Sequence, residues 1–556
     1  MVRSLFRAAF HKRKFNLSMI CDLRKNTKVL ITAIAFLCFS FYSSPAQKKK
    51  SAVDIKKTEK LLTESTAALQ TGDLAKAKII VSEILKNAPR NLTANTLAGI
   101  IADRENDPVR AEKYFASAAK IAPSAPDARN NYGAVLVRLG RRKEAAGEFS
   151  ASLKLNPNQV SALVNLAQIR VIEGDLASAR NLFEKAEIIA PDTEILRSLL
   201  MISLELRDKE RAAREFKEYI AAPFGTSNKT RDIPLAEALL AGGLPDEAKQ
   251  ELESALATDN KNTDALIVLS KVYLQQKNIP AAGKLLESAV AGGADDAKIY
   301  LALAEVYEAG GYPENAIPAM RRAIAREPKN DFYRSRYGLL LVNSKAPAAA
   351  VIRIEEALKE FPESPSLWFA LGIAQFDDNK IAEAERAFEK ALSIDPKLVP
   401  AMAYLGAVFV EQARYNDAVR IYEQAVKLDD KIALLHYLLG DTLLKMTDID
   451  EKRIEAALKR AAELDSNLTS AHLTLARLYV RQARWAEAAN FLEKAAKLEP
   501  NRAETFYQLG RVYTRLKRAD ESKTALARFK ELNTSQKQQK EVDRRELVRR
   551  LANVKF

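Results

Sequence analysis

Acid–base or metal chemistry near neutral pH draws on imidazole, thiolate or convergent carboxylates, so the scarce histidines and cysteines bear on function first. His11 stands near the start of the chain, and His436 and His472 stand far from it. Each of the latter two precedes a small residue by four, Gly440 and Ala476, and so takes the place that Trp368 holds before Gly372. That is a packing position. A ligand or general base would need a second histidine or a carboxylate aimed at the same point, which no repeated position supplies. Cys21 and Cys38 precede any segment with a folded pattern, which leaves no later thiol for a disulfide, a nucleophile or a metal. The motifs G-x-G-x-x-G, G-x-x-x-x-G-K-[ST], H-E-x-x-H and G-x-S-x-G do not occur. The expectation is a protein without catalysis, cofactor, metal or small-molecule substrate.

The chemistry left is electrostatic. Arg477 with Arg481, and Arg511 with Arg515, are pairs one helical turn apart in corresponding places. Four converging guanidinium groups would suit the carboxylates of an acidic peptide or the phosphates of a polyanion, and an ordinary solvated face has the same spacing. Elsewhere charge gives no lead. Net charge is +15, but residues 1–46 carry +7 and residues 511–556 carry +8, so the 464 residues between hold 65 of each sign. A neutral body makes nucleic acid an unlikely partner, because phosphate contacts need clustered Lys and Arg.

The elements that position these residues recur every 34 residues. Pro89, Pro123, Pro157 and Pro191 keep that step, as do Pro328, Pro362 and Pro396, and Gly338, Gly372, Gly406 and Gly440. A period of this size means stacked supersecondary units. In each unit a mid-helix Gly or Ala lets two helices cross closely, and a small residue such as Ala111, Ala145, Ala179, Ala384 or Ala488 faces it. Four residues later a bulky one such as Phe115, Phe149 or Phe388 fills the seam. Gly72, Gly140, Gly174, Gly243 and Gly311 end the first helix, Asp73 and Asp175 cap the second, and proline closes the unit. With 47% apolar residues, only 19 Gly and 20 Pro in 556 residues, the chain is expected to be all-α.

Trp368, Leu371, Gly372, Ala384, Phe388, Ala391 and Pro396 stand in an order and spacing that resemble the tetratricopeptide repeat, with Gln375 in place of its usual Tyr and Tyr307, Tyr479 and Tyr513 restoring it elsewhere. About fourteen such helix-turn-helix units fit between Thr58 and Gln536, about 86% of the chain. The resemblance implies a right-handed superhelical solenoid whose first helices line a concave groove that holds a protein partner, as a peptide or a helix. On that projection Phe369, Ile373 and Phe376, then Ala403, Ala407 and Val410, then Tyr437 and Leu444 either line an apolar groove or pack within the superhelix. The Lys and Asn clamp of chaperone-binding members is not evident.

Several expectations concern the ends and joints. Arg24, Lys25 and Lys28 precede the apolar run Val29–Tyr42, and Ser44-Pro45-Ala46 fits a cleavage site, so residues 1–46 are predicted to be a signal peptide with Gln47 as the mature terminus. The alternative is an uncleaved anchor in the inner membrane, against which fourteen residues are short of the roughly 20 that span a bilayer. Met19 is a second candidate start. Residues 47–57 form a basic linker, 58–225 and 226–536 two blocks of repeats with a break near 223–234, and 537–556 a basic helix. In that helix Val542, Leu547, Leu551 and Val554 share a face, which either caps the last seam or meets a membrane or acidic partner. The expected role is a scaffold of the periplasm or cell envelope. Its rivals are a non-catalytic subunit of a polysaccharide-export or glycosyltransferase complex and a polyanion or RNA binder acting through the carboxyl-terminal arginines.

Overall fold

In a computed structural model the chain is described for residues 48–222, 233–446 and 450–535. The signal segment 1–46, most of the expected break at 223–234, most of the two-residue insertion near Thr447–Glu451 and the basic helix 537–556 lie outside the described residues. Among those residues there are 28 α-helices, which alternate as fourteen pairs from Lys48–Thr71 with Leu74–Asn87 to Ala503–Arg515 with Ala519–Ser535. The chain divides into two compact units, the first ending at Ala282 and the second beginning at Gly283. In each unit the two helices of a pair pack together, and the second then packs against the first helix of the next pair. Across the undescribed residues 223–232, the helix Ile233–Ala241 lies against Thr193–Glu205, so first helix meets first helix there.

Seven of the described pairs close on the same contact, a glycine of the first helix against a bulky side chain of the second. In the amino-terminal unit a Cβ placed on Gly99 would come within 2.6 Å of the Phe115 ring, and one on Gly133 within 2.7 Å of Phe149. In the carboxyl-terminal unit the same holds for Gly338 against Ile354 at 2.5 Å, Gly372 against Phe388 at 2.5 Å and Gly510 against Leu526 at 2.6 Å. The glycine thus makes room for the bulky side chain of the partner helix, where the sequence pattern pointed to close crossing opposite a small residue. Those facing alanines, Ala111, Ala145, Ala179, Ala384 and Ala488, are fully buried. Gly440 meets Leu458 at 2.7 Å although the loop between them is longer, so the inserted residues leave the seam intact.

Among the described residues, thirteen of the turns inside a pair hold a left-handed residue. Gly72, Gly140, Gly174, Gly243 and Gly311 supply it with φ between 74° and 86°. Eight other pairs place a residue with a Cβ there, among them Asn106, Lys345, Ala413 (φ 55°) and Ala483 (φ 57°), although alanine gains nothing from that conformation. The second helix then begins on a side-chain cap in many pairs, as where Asp73 accepts from the Lys76 N–H at 2.9 Å and Asp175 from Ser178 at 3.1 Å.

Two substitutions test this design in opposite directions. Gly372→Ala forces the Phe388 ring to move and is expected to destabilise the chain by about 1–3 kcal/mol. Ala413→Gly relieves the left-handed turn and is expected to stabilise it by up to about 1 kcal/mol. Denaturant and thermal melts of both variants beside the parent check the two signs.

Candidate functional site

The histidine position proves to be a hydrogen-bonding post. His436 Nε2 lies 2.9 Å from the carbonyl of Asp430 and His472 Nε2 lies 2.8 Å from that of Ser466, in each case six residues earlier. A carbonyl only accepts, so both rings carry their proton on Nε2. Trp368 Nε1 donates in the same way to Pro362 at 2.8 Å, Arg334 to Pro328 at 3.1 Å, Arg129 to Pro123 at 2.9 Å and Asn95 to Pro89 at 2.9 Å. Whatever the residue type, a donor on the first helix satisfies the loop carbonyl that closes the preceding unit. Both histidines are buried, as a packing position requires.

The apolar stripe is covered. Phe369, Ile373, Phe376, Ala403, Ala407, Val410 and Tyr437 are buried, and Leu444 is half-buried. Phe369 and Phe376 meet Tyr404 of the following unit edge to face, with ring centroids 5.6 and 6.2 Å apart, and Tyr404 also lies 5.4 Å from Phe388. The expectation of an open groove at these positions is therefore corrected: in this conformation the side chains are out of a partner's reach, because neighbouring repeats interlock through them. Burial raises the Tyr404 phenol well above its ordinary value, and its hydroxyl has no partner among the described residues.

The four arginines separate into two kinds. Arg477 binds Glu504 at 2.9 Å and Arg481 lies 3.9 Å from Glu451, so acidic neighbours offset both. Arg511 lies over the Tyr507 ring at 5.7 Å and Arg515 over Trp485 at 5.8 Å. Neither of these has an ion pair among the described residues, and both are exposed. Half of the expected cluster is thus free to meet an anion.

Several other charges form struts between repeats. Arg414 stacks on Phe409 at 4.3 Å and reaches back to Glu385 at 2.6 Å and forward to Asp417 at 2.9 Å. Arg484 repeats this with Tyr479, Glu455 and Glu487, and Arg518 with Tyr513, Glu493 and Glu521. In the amino-terminal unit Arg141 bridges Glu112 and Glu144. Glu385, which by spacing belongs to a solvated face, is instead a strut between units. Burial pushes the Glu455 carboxyl up, but hydrogen bonds from Lys459, Arg484 and Tyr479 outweigh it and hold the carboxyl at about 2, below the ordinary 4.5.

One feature gave little sign in the sequence. A cleft of about 430 Å³ beside His472 is lined by Lys459, Lys494, Lys497, Phe491 and Leu498, among others. One sequence signal is a reversal of charge, since Lys459 stands where flanking repeats carry Glu389, Glu423 and Glu493. Among the described residues no group of three or more His, Cys, Asp or Glu is placed to hold a metal, and no helix is long and apolar enough to cross a membrane.

The family model described as tetratricopeptide repeat matches residues 62–126, 133–194 and 473–532, and that of the cilia and flagella-associated protein 70 C-terminal domain matches 247–502. The chain is a tetratricopeptide-repeat protein. It is similar to the type IV pilus assembly protein PilF of Pseudomonas aeruginosa, 30% identical over 162 residues, covering 28% of this chain and 64% of that one. It is also similar to the human protein O-mannosyl-transferase TMTC3, 26% identical over 323 residues, covering 53% of this chain and 34% of that one. The chain thus spans less than two thirds of either relative. The solved APC/C hetero-tetramer Cut9-Hcn1 aligns over 94% of this chain and 99% of that one at 14% identity and a TM-score of 0.37. Tetratricopeptide repeats imply a protein-interaction scaffold.

The Glu455 strut has a pH signature. Its carboxyl titrates lower in the folded chain than in the unfolded one, so its contribution is complete above pH 4.5 and is lost as pH falls from there towards 2. Glu455→Gln is expected to destabilise the tetratricopeptide-repeat stack by about 1–2 kcal/mol near neutral pH and by nearly nothing at the acid end of that window. Urea melts of both proteins across the window measure the convergence.

Proposed function

We propose that this chain is a non-catalytic scaffold of the cell envelope that holds a protein partner on the exposed, unpaired basic positions of its last repeats. One observation carries the reading. The groups able to do acid–base work are already engaged in holding repeats together: His436 and His472 on loop carbonyls, and Glu455 on three donors. Arg511 and Arg515, laid over aromatic rings and without carboxylates, are by contrast available to an acidic segment. The envelope assignment rests on the basic, apolar and small-residue order of residues 24–46. The similarity to a pilus assembly protein is consistent with it.

The similarity to an O-mannosyl-transferase over 53% of the chain favours a second reading, in which the repeats serve a glycosyltransferase or polysaccharide-export complex as a non-catalytic part. A co-purifying transferase or export channel would support it. Polyanion binding through the same arginines is a third reading, and salt-sensitive retention on a heparin column would mark it.

The decisive experiment is crosslinking in intact cells, followed by affinity purification from the envelope fraction and sequencing of the captured chain's amino terminus. The expected result is a defined protein partner bound to a chain that begins at Gln47. Replacing Arg477, Arg481, Arg511 and Arg515 by Glu should reduce capture at least about tenfold, since each basic contact is replaced by repulsion. Undiminished capture would remove the arginines from the interface, and recovery of the chain only from the cytosol would overturn the envelope role.

A further inference from the structure

The cleft beside His472 departs from the repeat in two ways at once. It is an open cleft lined by residues of the helix Glu451–Leu464, the turn at Ser466, the helix Thr469–Arg481 and the helix Trp485–Leu498, all within the carboxyl-terminal unit. At the position of Phe491 the flanking repeats have Ala387, Ile421 and Ala457, and at the position of Lys459 they have glutamates. A larger apolar side chain and an added positive charge therefore enter the same hollow.

Its floor is formed by Ala462, Leu498 and Phe491, all half-buried, with the His472 ring stacked 5.8 Å from Phe491 at 27°. Its rim is basic. Lys459 is tied to Glu455 at 2.7 Å, whereas Lys494, 5.2 Å from the Phe491 ring, and Lys497 have no ion pair among the described residues. The one acid on the rim, Glu463, is largely exposed and turned to Arg460 at 3.5 Å. Two uncompensated ammonium groups thus stand over an apolar floor.

We infer that this cleft receives an acidic peptide segment of the protein partner, with an aliphatic side chain on the Ala462–Leu498–Phe491 floor and flanking carboxylates on Lys494 and Lys497. The inference deepens the scaffold reading and rests on it. Lysine presents a point charge without the planar fork that grips phosphate in two bonds, so nothing here selects phosphate over carboxylate. Phe491 already stacks on His472 with Lys494 5.2 Å from its ring, so a nucleobase would have to displace one of them to stack there, whereas an aliphatic side chain needs only part of the ring's surface. An inorganic anion would leave the apolar floor in water. A short acidic segment with one aliphatic residue satisfies both floor and rim.

The test uses the full chain and a fluorescein-labelled peptide of four glutamates around one central leucine, read by fluorescence anisotropy. Binding is expected, and Lys494→Glu with Lys497→Glu should weaken it at least about tenfold through lost and reversed charge. Phe491→Ala is expected to weaken binding while leaving the melting transition close to the parent's, because alanine already occupies the equivalent place in two flanking repeats. A peptide with lysine in place of each glutamate should not bind. Failure of the acidic peptide to bind, affinity unchanged in both variants, or equal competition by inorganic phosphate would each overturn the inference. If the double variant still captures the partner in cells, the cleft is wrong and the scaffold stands; if the parent captures none, the scaffold itself falls.

Discussion

In the pairs built on Gly99, Gly133, Gly338, Gly372, Gly406, Gly440 and Gly510 the arrangement depends on one steric constraint, the seating of a bulky side chain of the second helix where the first helix has no side chain at all. Gly372 under Phe388 and Gly510 under Leu526 leave no room for even a methyl group. Because that contact fixes how the two helices of a pair cross, it also fixes which faces remain for the neighbouring pairs. A single pair then exposes apolar flanks on both sides and cannot hide them alone, so stability comes from stacking as much as from folding. The 34-residue period is the sequence trace of that requirement.

Charge follows the same logic. Arg414 and Arg484 form struts of one kind, in which an arginine beside the turn stacks on an aromatic ring and reaches a glutamate of the preceding unit. Exposed pairs of this kind contribute little singly. Repeated in register, and with Glu455 held by three donors, they fix how successive pairs are set against each other in a way that apolar contacts cannot. Charge engaged in such a strut answers to the fold, and charge that lacks a structural partner is what bears on binding.

This explains what could be read from the sequence and what could not. The helix pairs, the glycine turns and the Asp73 and Asp175 caps were legible because each rests on a residue type with a local cause. Left-handed turns at Ala413 and Ala483 were not, since the stack imposes a conformation that alanine does not favour. Whether the stripe from Phe369 to Leu444 lines a groove or packs within the superhelix was left open by the sequence for a related reason: a helical projection tells which side a residue is on but not what lies against that side, and Tyr404 packs against Phe369 and Phe376. The histidine position was read correctly as structural, yet its hydrogen bond to a carbonyl six residues back appears only when Asn95, Arg129, Trp368 and His472 are seen to make the same contact with unlike side chains.

In a chain of this kind, repetition and function pull apart. A residue that recurs at every step answers to the neighbouring repeat, and its chemistry is used up there, as with the arginine struts and the donor on the first helix. A residue that breaks the series has no such duty. Arg511 occupies the place that Ile373 and Ala407 hold in earlier units, Lys459 replaces a glutamate, and Phe491 replaces an alanine. Arg511 adds an exposed charge with no ion pair among the described residues, Lys459 brings a positive charge to the cleft beside its own tie to Glu455, and Phe491 enlarges the apolar floor. Fold and recognition can then be separated within one sequence, the first written in what is constant along the stack and the second in the few places where the series is interrupted.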